Sequence, residues 1–209
     1  MAHPPLTRKR LLGIDRSGGP PPETRRGAPL RPLTIPNAIS YLRLALLPVF
    51  VAIALSSHDG RDTLAAALYF AIAWGDQLDG LAARVTGQYS RMGALLDPLT
   101  DRALVIAGVI VCWHFEPLPR WALGVLVARE VFMLGLTQYA LRKGMDLGIN
   151  MLGRWAVWPV MFAIFLTLVV ATPVAEASLY LGLVMTLGAT ALYMRDGLQF
   201  SSGSPSSST

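Results

Sequence analysis

The chain has 209 residues, of which 53% are hydrophobic and only 15% charged, and it carries a formal net charge of +5. Apolar runs this long and unbroken exclude a soluble domain built round an ordinary core, and at this hydrophobicity a basic balance reads as membrane topology and attraction to anionic lipid heads rather than nucleic-acid binding. The one cysteine, Cys112, excludes an intrachain disulfide.

Residues 1–34 differ from the rest. Pro20-Pro21-Pro22, several glycines and a set of basic side chains predict a disordered basic tail. Its only apolar stretch, Leu11-Leu12-Gly13-Ile14, is too short for a secretion signal. Six apolar runs follow, at 38–56, 63–84, 92–114, 118–141, 152–171 and 174–194. A bilayer core of about 30 Å takes about 20 residues of helix, and lipid offers no partner to an unpaired backbone group, so each run reads as a transmembrane helix. The expected architecture is an all-α integral membrane protein, with a six-helix domain over residues 35–196 and a flexible serine-rich tail over 197–209. No internal repeat is evident.

An even number of spans puts both termini on one side. That side carries Arg8, Lys9, Arg10, Arg16, Arg25, Arg26, Arg31, Arg91, Arg142, Lys143 and Arg195, against Arg61 and Arg120 on the other. The positive-inside bias then places both termini, and the loop between the second and third spans, in the cytoplasm.

Four acids stand inside this apolar background, in Gly75-Asp76-Gln77-Leu78-Asp79-Gly80-Leu81-Ala82-Ala83-Arg84 and, eight residues later, Gly93-Ala94-Leu95-Leu96-Asp97-Pro98-Leu99-Thr100-Asp101. A carboxylate at membrane depth costs roughly 3 kcal/mol unless something compensates it. Asp76 and Asp79 share one helical face with Ala83, and Gly93, Asp97 and Asp101 share another. With Gly87 in mid-loop, Asp76 and Asp97 lie at nearly equal distances from the turn, so antiparallel helices bring them to one level. Four converging carboxylates repel one another, and two divalent cations would resolve the conflict. Oxygen-only ligands suit Mg²⁺ or Mn²⁺. Gly80, Ala83 and Gly93 carry little or no side chain, which serves tight helix packing or leaves room for a ligand against the backbone. Arg84 could hold a phosphate bidentately. Paired metals beside a phosphate-binding arginine suggest phosphoryl or nucleotidyl chemistry.

The spacing Asp76-x2-Asp79-Gly80-x2-Ala83-Arg84-x8-Gly93-x3-Asp97-x3-Asp101 resembles the full signature of the CDP-alcohol phosphotransferase family, and Ile35-Pro36-Asn37-Ala38-Ile39-Ser40-Tyr41-Leu42-Arg43 is similar to the segment that opens the first helix of its members. The resemblance covers nearly all of residues 34–196 and implies a six-helix enzyme, commonly a homodimer. Such an enzyme displaces CMP from a CDP-linked donor, usually CDP-diacylglycerol, by attack of an alcohol. It also implies roles for matching residues. Asp76, Asp79 and Asp97 would hold the two metals. Asp101 would touch one metal and act as general base. Asp76, Gly80, Ala83, Arg84 and Gly93 would line the donor site, which faces the cytoplasm.

For the acceptor, the candidate cations are Arg102, Arg129 and Arg154. Ala128-Arg129-Glu130 and Gly153-Arg154 are similar to segments of phosphatidylglycerophosphate synthases, which favours glycerol 3-phosphate. Ala156 and Val157 stand where those synthases usually continue with Lys and Thr, which leaves phosphatidylglycerol, as in a cardiolipin synthase, or an inositol phosphate as alternatives. Arg129 and Glu130 could instead pair structurally. His58 and His114, and Trp113, Trp121, Trp155 and Trp158, fall near span ends and read as interfacial residues. A cation transporter or a lipid-binding scaffold is the competing class. No acidic relay continues toward the far side to support transport, and the complete signature argues against a decayed scaffold.

Overall fold

A computed structural model describes residues 29–143 and 151–202. Among them all regular structure is helical: α1 (Ile35–Ser56), α2 (Thr63–Thr86), α3 (Arg91–Phe115), α4 (Arg120–Lys143), α5 (Met151–Val169) and α6 (Pro173–Ser202). Each helix coincides with one of the six apolar runs. The largest difference at an end is in α6, which continues through residues 197–202, assigned to the C-terminal tail from their composition. The basic tail up to residue 28 and the chain from residue 203 lie outside the described residues.

The helix ends follow from local chemistry. Thr34 caps α1, its Oγ1 accepting from the Asn37 amide at 3.3 Å. Ser90 caps α3 in the same way, accepting from the Gly93 amide at 3.0 Å. α6 begins with Thr172 as cap and Pro173 in the first turn, where a missing N–H is harmless. α2 stops at Gly87, whose φ of +66° is the left-handed conformation that closes a helix and that glycine adopts without strain.

Two helices are long and apolar enough to cross a membrane by length and composition: α1, and α6 over Pro173–Leu192. In α5 the apolar stretch Ala156–Val169 is shorter. α2, α3 and α4 have the length, at 24, 25 and 24 residues. Their hydropathy is lowered by internal charge: Asp76, Asp79 and Arg84 in α2, Arg91, Asp97, Asp101 and Arg102 in α3, Arg129 and Glu130 in α4. Large apolar side chains stay exposed on several helices, including Leu42, Phe70, Trp158 and Val184, the last 70% exposed. In water such a surface would be an aggregation liability, whereas hydrocarbon accepts it.

The chain forms two compact units. The first comprises the described residues up to Ser56 together with Thr63–Ala107; the second comprises Ser57–Asp62 and the chain from Gly108 onward. In the first, α1 packs along α2, with Leu47, Phe50 and Ala54 buried on one side and Ala65, Ala66, Tyr69 and Ile72 on the other. The Phe50 and Tyr69 rings meet with centroids 5.3 Å apart. In the second, α5 packs along α6. There the approach is close: a Cβ on Gly182 would stand 2.9 Å from the Val160 backbone nitrogen. Small residues at such a crossing let two backbones come together, which is how helices associate where no hydrophobic force separates protein from solvent.

Candidate active site

The first unit holds all four signature acids, and α1 is the element that joins them. One face of α1 buries Asn37, Ser40, Arg43, Leu47 and Phe50 at helical spacing, so its N-terminal half is polar on the side that its apolar half packs. Arg43 is 3% exposed and Ser40 1%.

The Arg43 guanidinium reaches three of the carboxylates. Its Nη1 donates to Asp79 Oδ2 at 2.9 Å and lies 3.6 Å from Asp76 Oδ1, while Nη2 donates to Asp101 Oδ1 at 3.1 Å. Its Nε donates to the Ile72 carbonyl at 2.8 Å, which fixes the plane of the group. One turn nearer the start of α1, the Ser40 hydroxyl lies 3.3 Å from Asp79 Oδ2 and 3.4 Å from Asp97 Oδ1. The acids of α2 and α3 therefore meet through α1. Counting from Gly87 sets Asp76 level with Asp97; the shared contacts link Asp79 with Asp97 at Ser40, and Asp76 and Asp79 with Asp101 at Arg43.

Asp79 is the buried member at 4% exposure, whereas the Asp76 and Asp101 side chains are 36% and 39% exposed. The cluster thus opens on one side. Among the described residues no three His, Cys, Asp or Glu side chains close round a single point as metal ligands. The guanidinium stands at that centre. As a donor set the acids offer carboxylate oxygens only, which is the chemistry Mg²⁺ and Mn²⁺ take.

The small residues have particular tasks. A Cβ on Gly75 would stand 2.7 Å from Arg43 Cδ, so the arginine lies across a bare glycine backbone. A Cβ on Gly93 would stand 2.8 Å from Asn37 Oδ1. That oxygen accepts from Ser90 Oγ at 2.9 Å, and the Asn37 amide donates to the Arg31 and Pro32 carbonyls, both at 3.0 Å. The Met92 amide bonds the Leu30 carbonyl at 3.2 Å and the Ile35 amide bonds Gln88 Oε1 at 3.0 Å. The segment before α1 is thereby strapped to the α2–α3 turn. Gly80 and Arg84 face each other along α2, with the position of a Gly80 Cβ 3.5 Å from Arg84 Nη1, an ordinary contact distance. Ala83 lies half-buried beside them.

The acceptor candidates are placed separately. Arg102 is half-buried on α3. Arg129 belongs to the second unit, where it pairs with Glu130 and its Nε donates to Thr190 Oγ1 at 3.0 Å. The Arg154 side chain lies outside the described residues, and its backbone belongs to α5. Arg43, Ser40 and Asn37 were not assigned roles from the sequence, although polar residues spaced three apart on an otherwise apolar first helix were the signal.

An acidic cluster held among helices that otherwise expose large apolar side chains points to a membrane protein with polar chemistry held in its helices. The chain belongs to the CDP-alcohol phosphatidyltransferase family, whose profile matches residues 33–188. It is 31% identical over 172 residues to the CDP-diacylglycerol--glycerol-3-phosphate 3-phosphatidyltransferase of Bacillus subtilis, covering 73% of this chain and 89% of that one. It is 35% identical over 159 residues to the CMP-forming cardiolipin synthase of Streptomyces coelicolor, with 73% and 74% covered. To the CDP-diacylglycerol--glycerol-3-phosphate 3-phosphatidyltransferase of Cereibacter sphaeroides it is 31% identical over 135 residues, with 63% and 61% covered.

Proposed function

We propose that this protein is a phosphatidyltransferase of phospholipid synthesis, in which a hydroxyl of glycerol 3-phosphate attacks the β-phosphate of CDP-diacylglycerol and CMP leaves. The observation that carries the reading is the meeting of Asp76, Asp79 and Asp101 on one guanidinium and of Asp79 and Asp97 on one hydroxyl, within the segment that matches the family.

The new bond joins the acceptor oxygen to the β-phosphorus, and the anhydride bond to the α-phosphate oxygen breaks. The hydroxyl proton passes to the Asp101 carboxylate, which is half-exposed and so accessible to an incoming acceptor. Arg84, folded over Gly80, faces the diphosphate as a charged fork, and the bare backbone at Gly80 lets the donor lie close to α2. The open side of the cluster admits a head group while acyl chains stay in lipid. Asp76, Asp79, Asp97 and Asp101 would hold two divalent cations, Mg²⁺ or Mn²⁺, which when bound neutralise the diphosphate and stabilise the leaving CMP.

Six spans with both termini in the cytoplasm, and a site facing it in the cell membrane, are supported by six helices of 19 residues or more and by the bias of Lys and Arg toward one side. A homodimer rests on family resemblance alone. Phosphatidylglycerol is the second acceptor reading, favoured by the likeness to a cardiolipin synthase and by Ala156 and Val157. The test is CMP release by purified protein from CDP-diacylglycerol with each acceptor in turn. Release with glycerol 3-phosphate alone supports the first reading, release with phosphatidylglycerol alone the second, and release with neither rejects both.

A further inference from the structure

We propose that Arg43 is a positioning residue of the active site: a fixed cation on α1 that, with Ser40, sets the spacing of the signature carboxylates for the metal ions they bind.

Three observations carry this. The guanidinium is immobilised, because Nε is tied to the Ile72 carbonyl at 2.8 Å and the side chain is buried. Its two terminal nitrogens face acids of different helices, Asp79 on α2 and Asp101 on α3, so one rigid plane fixes the distance between them. Gly75 clears the path, since any Cβ there would strike Arg43 at Cδ, Cγ and Nε. A lysine could supply the charge. It could not bond a backbone carbonyl with one nitrogen while two others address separate helices, which is what a planar fork does. Ser40 stands between Asp79 on α2 and Asp97 on α3, and its single hydroxyl proton can go to either acid, one at a time. Removing a group that orients metal ligands from behind commonly weakens metal binding by about 10- to 100-fold.

The inference rests on the metal reading proposed above, and two measurements keep them apart. The first is Mn²⁺ binding to the purified protein, without substrate, followed by the paramagnetic resonance of free Mn²⁺. Arg43→Gln and Arg43→Lys should each raise half-saturation by about 10- to 100-fold, and Ser40→Ala, which leaves the arginine in place, should give a smaller shift in the same direction. The second is melting in EDTA. Arg43→Gln should lower the midpoint by about 10 °C, because a buried acid is left without its partner, and adding Asp79→Asn should restore at least half of that loss. Unchanged or tighter Mn²⁺ binding in the Arg43 variants overturns the proposal, since the guanidinium would then merely occupy the place of an ion. Full rescue by lysine overturns it too, leaving only a charge. If the wild type binds no Mn²⁺, the metal reading fails, and absence of coupling between Arg43 and Asp79 in EDTA then overturns the positioning role by itself.

Discussion

Gly75→Ala is the sharpest probe of the buried arginine, because it changes one methyl group and no charge. The new Cβ would stand 2.7 Å from Arg43 Cδ and 3.0 Å from Cγ and Nε. Comfortable contact needs about 3.5 Å, so the arginine must retreat by roughly 0.8 Å. Its hydrogen bonds to Ile72 O, Asp79 and Asp101 now measure 2.8, 2.9 and 3.1 Å. A retreat of that size along any of these bonds stretches it past hydrogen-bonding distance. Alanine contributes about 1 kcal/mol of helix propensity over glycine. Against that stand about 1–3 kcal/mol of overpacking and about 1.5–3 kcal/mol for each charged hydrogen bond lost. The sterics win, for a net destabilisation of about 2–4 kcal/mol and a midpoint lower by about 5–15 °C. Melting of the detergent-purified protein reads this directly, with CMP release measured alongside. Turnover should fall at least tenfold. The control is Gly124→Ala on α4, where a Cβ meets nothing within 4 Å and the propensity gain stands alone. If Gly75→Ala melts as high as that control and turns over normally, Arg43 is not held as described.

Asn37→Ala removes the bonds to Arg31, Pro32 and Ser90 from a fully buried site. It should cost about 1–3 kcal/mol, and hydrogen exchange should accelerate at the Met92 and Gly93 amides; unchanged exchange would refute the strap between the segment before α1 and the α2–α3 turn. Gly182→Ala places a Cβ 2.5 Å from Val160 Cγ2 and 2.9 Å from its backbone nitrogen, and backbone cannot step aside, so the melting midpoint should fall by several degrees. EDTA should abolish CMP release, and Mg²⁺ or Mn²⁺ should restore it. Activity that persists after exhaustive chelation would remove the ions from the account.

The six helices were legible because apolar runs of this length have few other fates, and the acids because the motif spacing puts them on two helical faces. The part that α1 plays was not legible in the same way. Arg43 meets Asp79 across 36 residues and Asp101 across 58, and no local pattern encodes such a pairing. Periodicity along α1 did hold a clue, since Asn37, Ser40 and Arg43 continue the face that buries Leu47 and Phe50. A charged residue on the buried face of an apolar helix needs an opposite charge, and four unpaired acids were already in view. Counting residues from the turn brought the acids of α2 and α3 to one region, but which acid shares which partner is set by α1. Arg129 illustrates the same limit: its bond to Thr190 crosses 61 residues and gives the arginine a structural partner that its motif does not announce. The acceptor is harder still, as the residues expected to meet it, Arg102, Arg129 and Arg154, lie outside the shared motif.

CMP release from CDP-diacylglycerol by the purified protein with Mg²⁺ or Mn²⁺, offering glycerol 3-phosphate, phosphatidylglycerol and inositol phosphate separately, with Asp101→Asn beside the wild type, decides whether the acidic cluster is a phosphatidyltransferase site. The account predicts release with glycerol 3-phosphate that falls at least 100-fold in the variant. Release that Asp101→Asn leaves intact, or no release with any of the three acceptors, would contradict it.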